Sequence, residues 1–294
     1  MNSDVFTLSA GIGNVSHPMH PALYERLENV HKYFPGRVGQ YPPTEGYPET
    51  RRAFLRVIEA SGFPTDGLNV LVTDGGSRAM SIALQLLDGD RPLLVFDPTY
   101  NPYHTKAKQF SRQTVAVTRR MQEDGSFTWP ERRELEEIIE REKPSGVLVI
   151  TGDNPTGQFI TQERMKELGQ LCVSHNMLMF SDEAYRELNK YAQTSSVWGL
   201  TDKEVPGIEG RRVSIESASK TFCFCAGHIG AFVSDNPELY EKALNIYGSD
   251  VASNAFSQRV FDMVGLLTLA ELKQWFDGLR TYYYDKIIPP TVQQ

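Results

Sequence analysis

Between residues 69 and 234, seven short apolar runs alternate with longer amphipathic stretches, and no other feature restricts the chain's fold as strongly. The runs are Asn69–Thr73, Pro92–Phe96, Gln113–Val117, Gly146–Ile150, Met177–Ser181, Arg211–Ile215 and His228–Ser234. Most are rich in Val, Leu and Ile, as strands buried on both faces tend to be. Helical patterns lie before and between them, over Pro48–Ala60, Ser77–Leu87, Pro130–Arg141 and Thr161–His175. Strands that alternate with helices join by right-handed crossovers into a mostly parallel sheet covered on both faces. The expected fold class is therefore α/β, a three-layer α/β/α large domain. With 40% hydrophobic and 23% charged residues, the chain can fill such a core,.

The flanks read differently. Residues 1–45 are rich in Gly, Pro, His and Tyr with weak periodicity, and are expected to form an N-terminal arm and a small-domain segment. The large domain is expected over 46–268. From Leu269 to Lys286 runs a long aromatic-bearing helical stretch, interrupted by Pro289-Pro290 before the chain stops at Gln294. That helix is expected to expose apolar faces suited to a partner domain.

Composition excludes several classes. Thirty Lys+Arg against thirty-seven Asp+Glu give a net charge of -7, a poor match for nucleic acid or an anionic membrane,. No apolar run approaches the ~20 residues that span a bilayer, and the start Met1-Asn2-Ser3-Asp4-Val5 lacks a signal-peptide pattern,. Three cysteines, Cys172, Cys223 and Cys225, cannot build a disulfide framework, which suits a reducing compartment such as the cytoplasm,. They read as small buried hydrophobes. His17, His20, His31, His104 and His175 show no ligand spacing, and Met177 and Met179 read as core.

Five short motifs follow the strands. Thr73-Asp74-Gly75-Gly76-Ser77-Arg78 opens a helix, where free N–H groups cradle an anion. Asp97-Pro98-Thr99-Tyr100-Asn101-Pro102-Tyr103 carries an aromatic ring that can stack on a flat ligand, or reads as a Pro-shaped loop with packed tyrosines. Asp153-Asn154-Pro155-Thr156-Gly157 holds an amide in a fixed turn. In Asp182-Glu183-Ala184-Tyr185 the adjacent carboxylates point to opposite faces, so one of them can meet a positive ring nitrogen. Ser217-Ala218-Ser219-Lys220 places a lysine where it can become a Schiff-base nucleophile. Each motif alone also reads as an ordinary turn or loop. Together they lie at the carboxyl ends of strands in one sheet, where open α/β folds bind ligands. Anion cradle, stacking ring, amide, carboxylate and amine describe a pocket for pyridoxal 5′-phosphate.

In order and spacing these motifs resemble the class I/II aminotransferases, the aspartate-aminotransferase-like, fold type I pyridoxal-phosphate enzymes, from about Leu8 to the tail. The resemblance implies transfer of an amino group between an amino acid and a 2-oxo acid. It makes Lys220 the Schiff-base lysine and proton shuttle, Asp182 the partner of the pyridinium nitrogen, and Asn154 with Tyr185 the pair on the ring hydroxyl. It makes Tyr100 the stacking ring. Gly76, Ser77 and Arg78, joined by Ser217, become the phosphate cradle. Tyr41, in Tyr41-Pro42-Pro43-Thr44-Glu45-Gly46, resembles a tyrosine that reaches the partner subunit's phosphate, which implies a homodimer. Gly13 resembles a residue lining the substrate carboxylate side.

Two departures stand out. Eight residues after Lys220 the family pattern has a phosphate-clamping arginine, and here His228 stands there. Histidine offers fewer donors and a conditional charge, so weaker cofactor binding is expected, fading with rising pH. The family also carries a C-terminal small domain with an arginine that grips the substrate carboxylate. This chain ends in the helix that leads to it, so a truncated chain with impaired turnover is expected.

Competing readings remain. A lyase of the same fold would use the same residues, and a cofactor-binding relative without turnover fits the two departures. Ser217 and Lys220 also spell the Ser-x-x-Lys of penicillin-recognising hydrolases, with Ser234-Asp235-Asn236 as a second motif, but no Lys-Thr-Gly follows,. Gly11-Ile12-Gly13 lacks the third glycine of a nicotinamide fingerprint,.

Overall fold

The computed structural model describes residues 13–37, 39–190 and 194–288. Gly11, Ile12, Pro289 and Pro290 lie outside these residues. Within them, seven strands form one sheet: β1 (Asn69–Thr73), β2 (Leu93–Asp97), β3 (Thr114–Thr118), β4 (Gly146–Ile150), β5 (Leu178–Asp182), β6 (Arg212–Ser217) and β7 (Gly230–Ser234). Their order is β1-β7-β6-β5-β4-β2-β3, and β7 alone among them runs opposite to the other six. Strands β1 to β6 therefore end at the edge where β7 begins, and Gly230 lies opposite both Thr73 and Ser217.

Helices cover both faces. They are α1 (Pro21–Glu28), α2 (Pro48–Ala60), α3 (Gly75–Gln85), α4 (Pro102–Gln109), α5 (Arg132–Glu142), α6 (Gln162–Ser174), α7 (Ala218–Thr221), α8 (Pro237–Tyr247), α9 (Ala255–Phe261) and α10 (Leu269–Thr281). Because successive strand residues point to opposite faces, each strand feeds two cores. Val70, Val147, Val149, Met179 and Val233 pack with α2, α5, α6, α9 and α10. Leu71, Leu148, Phe180, Ile215 and Phe232 pack with α3, α4 and α8. Each such side chain contributes about 1.5–3 kcal/mol on full burial, and this double burial is what the near-continuous apolar runs encode.

The boundaries move where backbone chemistry demands it. Pro92 has no N–H for the ladder, so β2 starts at Leu93, whose N–H bonds to Gln113 O at 2.9 Å. β5 and β6 extend to Asp182 and Ser217, which puts both motif residues in or at the end of the ladder. His228 is left-handed (φ 43°, ψ 51°), so β7 starts only at Gly230. Thr161 caps α6 as expected, accepting from Arg164 N at 3.2 Å.

The tail expectation needs correction. Thr268 and Glu271 form a capping box that starts α10, which ends at Thr281 and continues to Ile287 in a wider π-type turn. Its apolar face is not left open: Leu272, Phe276 and Leu279 are buried. Trp275 Nε1 donates to Thr221 O at 2.7 Å and Arg280 Nη1 to Glu187 O at 2.9 Å. Nor is the amino-terminal segment wholly irregular, since α1 occupies Pro21–Glu28. Met177 and Met179 are buried as expected. Among the described residues no helix is long and apolar enough to cross a membrane.

Candidate active site

At the carboxyl edge the chain turns from β6 directly into α7. Ser217 Oγ accepts from Ser219 N at 3.2 Å and fixes that turn. Lys220 follows, its Nζ donating to Gly13 O and lying 3.8 Å from Cys225 Sγ. Cys225 is therefore half-exposed beside the lysine rather than a buried hydrophobe, whereas Cys172 and Cys223 are buried. Gly13 marks the convergence: a Cβ there would stand 3.4 Å from Lys220 Nζ and 3.9 Å from Tyr185 Oη.

Asp182 ends β5 one strand away. Its Oδ2 accepts from Tyr103 Oη at 2.8 Å and its Oδ1 from Ala184 N at 3.1 Å. Burial raises its pKa above the ordinary carboxylate range against those hydrogen bonds. Tyr185 is pushed up to about 12, first by burial and then by the Asp182 charge, with Cys225 also acting on it. Tyr185 thus feels the charge of Asp182 on one side and shares the surroundings of Gly13 with Lys220 on the other. Tyr100 sits at its rim, 37% exposed, its hydroxyl pKa raised by burial and by Asp182.

The loop after β4 completes this side. Thr151 N donates to Asp182 O at 3.0 Å. A Cβ on Gly152 would lie 2.6 Å from Tyr185 Cβ, so the segment leading to Asn154 packs on that tyrosine. Asn154 itself is half-buried in the following turn.

The anion cradle lies at the start of α3. Asp74 occupies the capping position but does not cap: its carboxylate accepts from Asn254 N at 3.0 Å and Tyr247 Oη at 3.3 Å. The first-turn N–H groups, including those of Gly76 and Ser77, have no intrahelical acceptor. Two glycines make the approach possible. Gly75 is left-handed (φ 68°), and a Cβ on it would strike the His228 ring at 2.6 Å. A Cβ on Gly230 would strike Gly76 N at 2.5 Å. Because β7 runs backwards, His228 arrives at the same edge as Gly75, Gly76 and Ser217. The side chain of Arg78 pairs with Asp250, leaving its backbone at the helix start. Tyr41 is 82% exposed.

Tyr103 is buried, as the packed-tyrosine reading expects, but its bond to Asp182 is not legible in the sequence; burial and Asp182 drive its pKa well above the ordinary value. It stands three residues after Tyr100, at the start of a helix. His104, which shows no ligand spacing in the sequence, packs between strands and links Asp97 Oδ1 at 2.9 Å to Thr114 Oγ1 at 2.8 Å. Among the described residues no His, Cys, Asp or Glu group could hold a metal.

Residues 11–263 match the family profile described as aminotransferase class I and II. The chain belongs to the class I and II aminotransferases. It is 27% identical over 260 residues to a probable kynurenine–oxoglutarate transaminase of Saccharomyces cerevisiae, covering 85% of this chain and 55% of that protein. It is 25% identical over 295 residues to an aspartate aminotransferase of Geobacillus stearothermophilus, covering 97% of this chain and 71% of that one. The chain thus spans only part of these aminotransferases. The solved N-succinyldiaminopimelate aminotransferase of Mycobacterium tuberculosis shares the fold, with TM-score 0.79 at 21% identity over 94% of this chain and 69% of that chain.

Proposed function

We propose that the chain binds pyridoxal 5′-phosphate and moves an amino group from an amino acid to a 2-oxo acid, in amino acid metabolism. The observation that carries this reading is the convergence of Lys220, Tyr185 and Asp182 on one space beside an uncapped helix start. The residues present fit the cofactor. Half-buried Asp182 is a carboxylate whose charge lacks a cationic neighbour among its hydrogen-bond partners, and a protonated ring nitrogen would supply one. The open N–H groups of α3 suit a phosphate.

When bound, pyridoxal phosphate supplies an aldehyde that takes up amines and a ring that accepts electrons. The protein's own part follows from its residues. Lys220 Nζ would supply the amine that meets the aldehyde and would hold or move a proton at the reacting carbon. Asp182 keeps the ring nitrogen protonated. Tyr185, still a hydroxyl at neutral pH with its pKa at about 12, donates with Asn154 to the ring oxygen, and Tyr100 covers one ring face. Gly76, Ser77 and the Arg78 backbone, with Ser217 and His228, hold the phosphate. Gly13 lines the substrate side. Tyr41 serves the partner subunit in a homodimer, and three free thiols suit the cytoplasm.

The test is to supply pyridoxal phosphate to the purified protein, record the visible band, and add amino acids one at a time. The expected outcome is a band that Lys220→Ala abolishes and that an amino acid converts, with release of a 2-oxo acid and no free ammonia. Ammonia release would make the chain a lyase. No Lys220-dependent band would overturn the reading.

A further inference from the structure

Beside the proposed Schiff-base lysine stands a nucleophile that the proposed reaction does not use. Cys225 is half-exposed, and its Sγ lies 3.8 Å from Lys220 Nζ. Its S–H donates to Ser219 O at 3.1 Å. One sharp turn holds thiol and amine together. After α7 the N–H groups of Phe222 and Phe224 both bond back to Ala218 O, at 3.1 and 3.4 Å. Between them Cys223 is left-handed, at φ 53°. A Cβ on Gly227 would strike the Phe224 ring, so the turn is packed closed. Groups held as neighbours in this way react with each other far faster than with groups free in solution.

The other thiols are poorer targets. The thiolate, not the thiol, is the nucleophile. Burial pushes the Cys172 pKa up to about 12, and burial followed by the nearby Cys225 charge pushes Cys223 up to about 11. Both are buried, whereas Cys225 is open to a small oxidant. Peroxides convert accessible thiolates to sulfenic acids, and a sulfenic acid condenses with a neighbouring nitrogen to a sulfenamide.

We propose that Cys225 is a site of oxidation by peroxide, and that its sulfenic acid closes a reversible S–N bond onto Lys220. In the first step the thiolate sulfur attacks one peroxide oxygen and the O–O bond breaks. One oxygen stays on sulfur and the other leaves, with a proton, as water; sulfur is oxidised and the peroxide reduced. In the second step the neutral Lys220 amine attacks sulfur and the S–O bond breaks. The hydroxyl departs as a second water with a proton from nitrogen. External thiols reverse the bond: one thiolate attacks sulfur and frees the amine, and a second takes over the mixed disulfide and restores the Cys225 thiol. The S–N bond consumes the amine that the proposed function needs. Its effect on the cofactor rests on that reading, and the bond itself does not.

The test treats the full chain, without added pyridoxal phosphate, with hydrogen peroxide and then maps tryptic peptides by mass. Trypsin needs a free lysine amine, so it should no longer cut after Lys220. The uncut peptide should span Lys220 and Cys225 and lack two hydrogens. Dithiothreitol should restore both the cut and the mass. Cys225→Ser should keep the cut after peroxide, whereas Cys223→Ser should still lose it. Dimedone, which traps sulfenic acids, should preserve the cut in the unaltered chain when added with the peroxide, a control that needs no variant to fold. The oxidised sample should give no visible band with pyridoxal phosphate until dithiothreitol is added. A chain still cut after Lys220, whether its Cys225 is bonded to Cys223 or carries only oxygen, would overturn the proposal. So would loss of the cut in Cys225→Ser. The peptide readout needs no cofactor, so it stands or falls apart from the proposed transamination.

Discussion

The edge formed by β5 and β6 has two sides built from neighbouring residues, and they treat polarity in opposite ways. Asp182, Tyr185 and Ser217 face the candidate pocket. Glu183, Arg186 and Glu216, each one residue away, face the interior behind it. There Arg186, 1% exposed, lies 2.7 Å from Glu187 Oε1, 3.0 Å from Glu216 Oε1 and 3.4 Å from Glu183 Oε2. Ser214 and Ser196 donate to Glu216 and Glu183 at 2.7 and 2.9 Å. The rear groups spend their hydrogen bonds on each other and tie strand ends together. The front groups keep hydrogen-bonding capacity in reserve, and reserve capacity in a half-buried place is what a ligand uses. The comparison separates residues that hold the shape from residues that do the chemistry.

That separation can be broken experimentally. Lys220→Ala should remove the cofactor band and reduce amine transfer by several orders of magnitude, while denaturant unfolding changes by no more than about 0.5–1 kcal/mol. A large loss of stability would erase the distinction. Arg186→Met should do the reverse in kind, because it leaves buried carboxylates without their cation. Unfolding in urea should register a loss of about 3–5 kcal/mol, and a neutral result would show that the rear network holds nothing.

Glu183 sharpens the contrast through pH. Burial raises its pKa from 4.5 to about 7, against the pull of Arg186. Between those values the folded chain binds more protons than the unfolded one, so stability falls as pH rises through that window. The loss is on the order of 3 kcal/mol at most. Glu183→Gln keeps the acceptor and cannot ionise, so its unfolding free energy should change less between pH 4.5 and 7; an unchanged slope would place the titration elsewhere. The smallest effect is expected at the front. His228→Arg should tighten cofactor binding about tenfold, as a charge-assisted contact does, measured by spectral titration. No gain would remove His228 from the phosphate side.

Much of this was legible because it is local. Strands buried on both faces announce themselves in runs such as Gly146–Ile150, and strand-end motifs place themselves once the sheet is recognised. Opposite facing of Asp182 and Glu183 follows from strand alternation alone. What could not be read depends on distant contacts. The antiparallel entry of β7, which brings His228 onto Gly75, is settled by pairing with β1 and β6. Arg186 is buried only because Glu216, thirty positions later, folds against it. Asp74 stands at the capping position of α3, yet Asn254 draws its carboxylate away. Cys225 looked like core because nothing local reveals Lys220 beside it.

The central claim is that the amine at position 220 is the one that captures the cofactor. Borohydride reduction of the protein mixed with pyridoxal phosphate, followed by peptide mapping, tests it directly. The account predicts a single stoichiometric adduct on the peptide containing Lys220. Adducts spread over surface lysines, or one stoichiometric adduct on another residue, would contradict it.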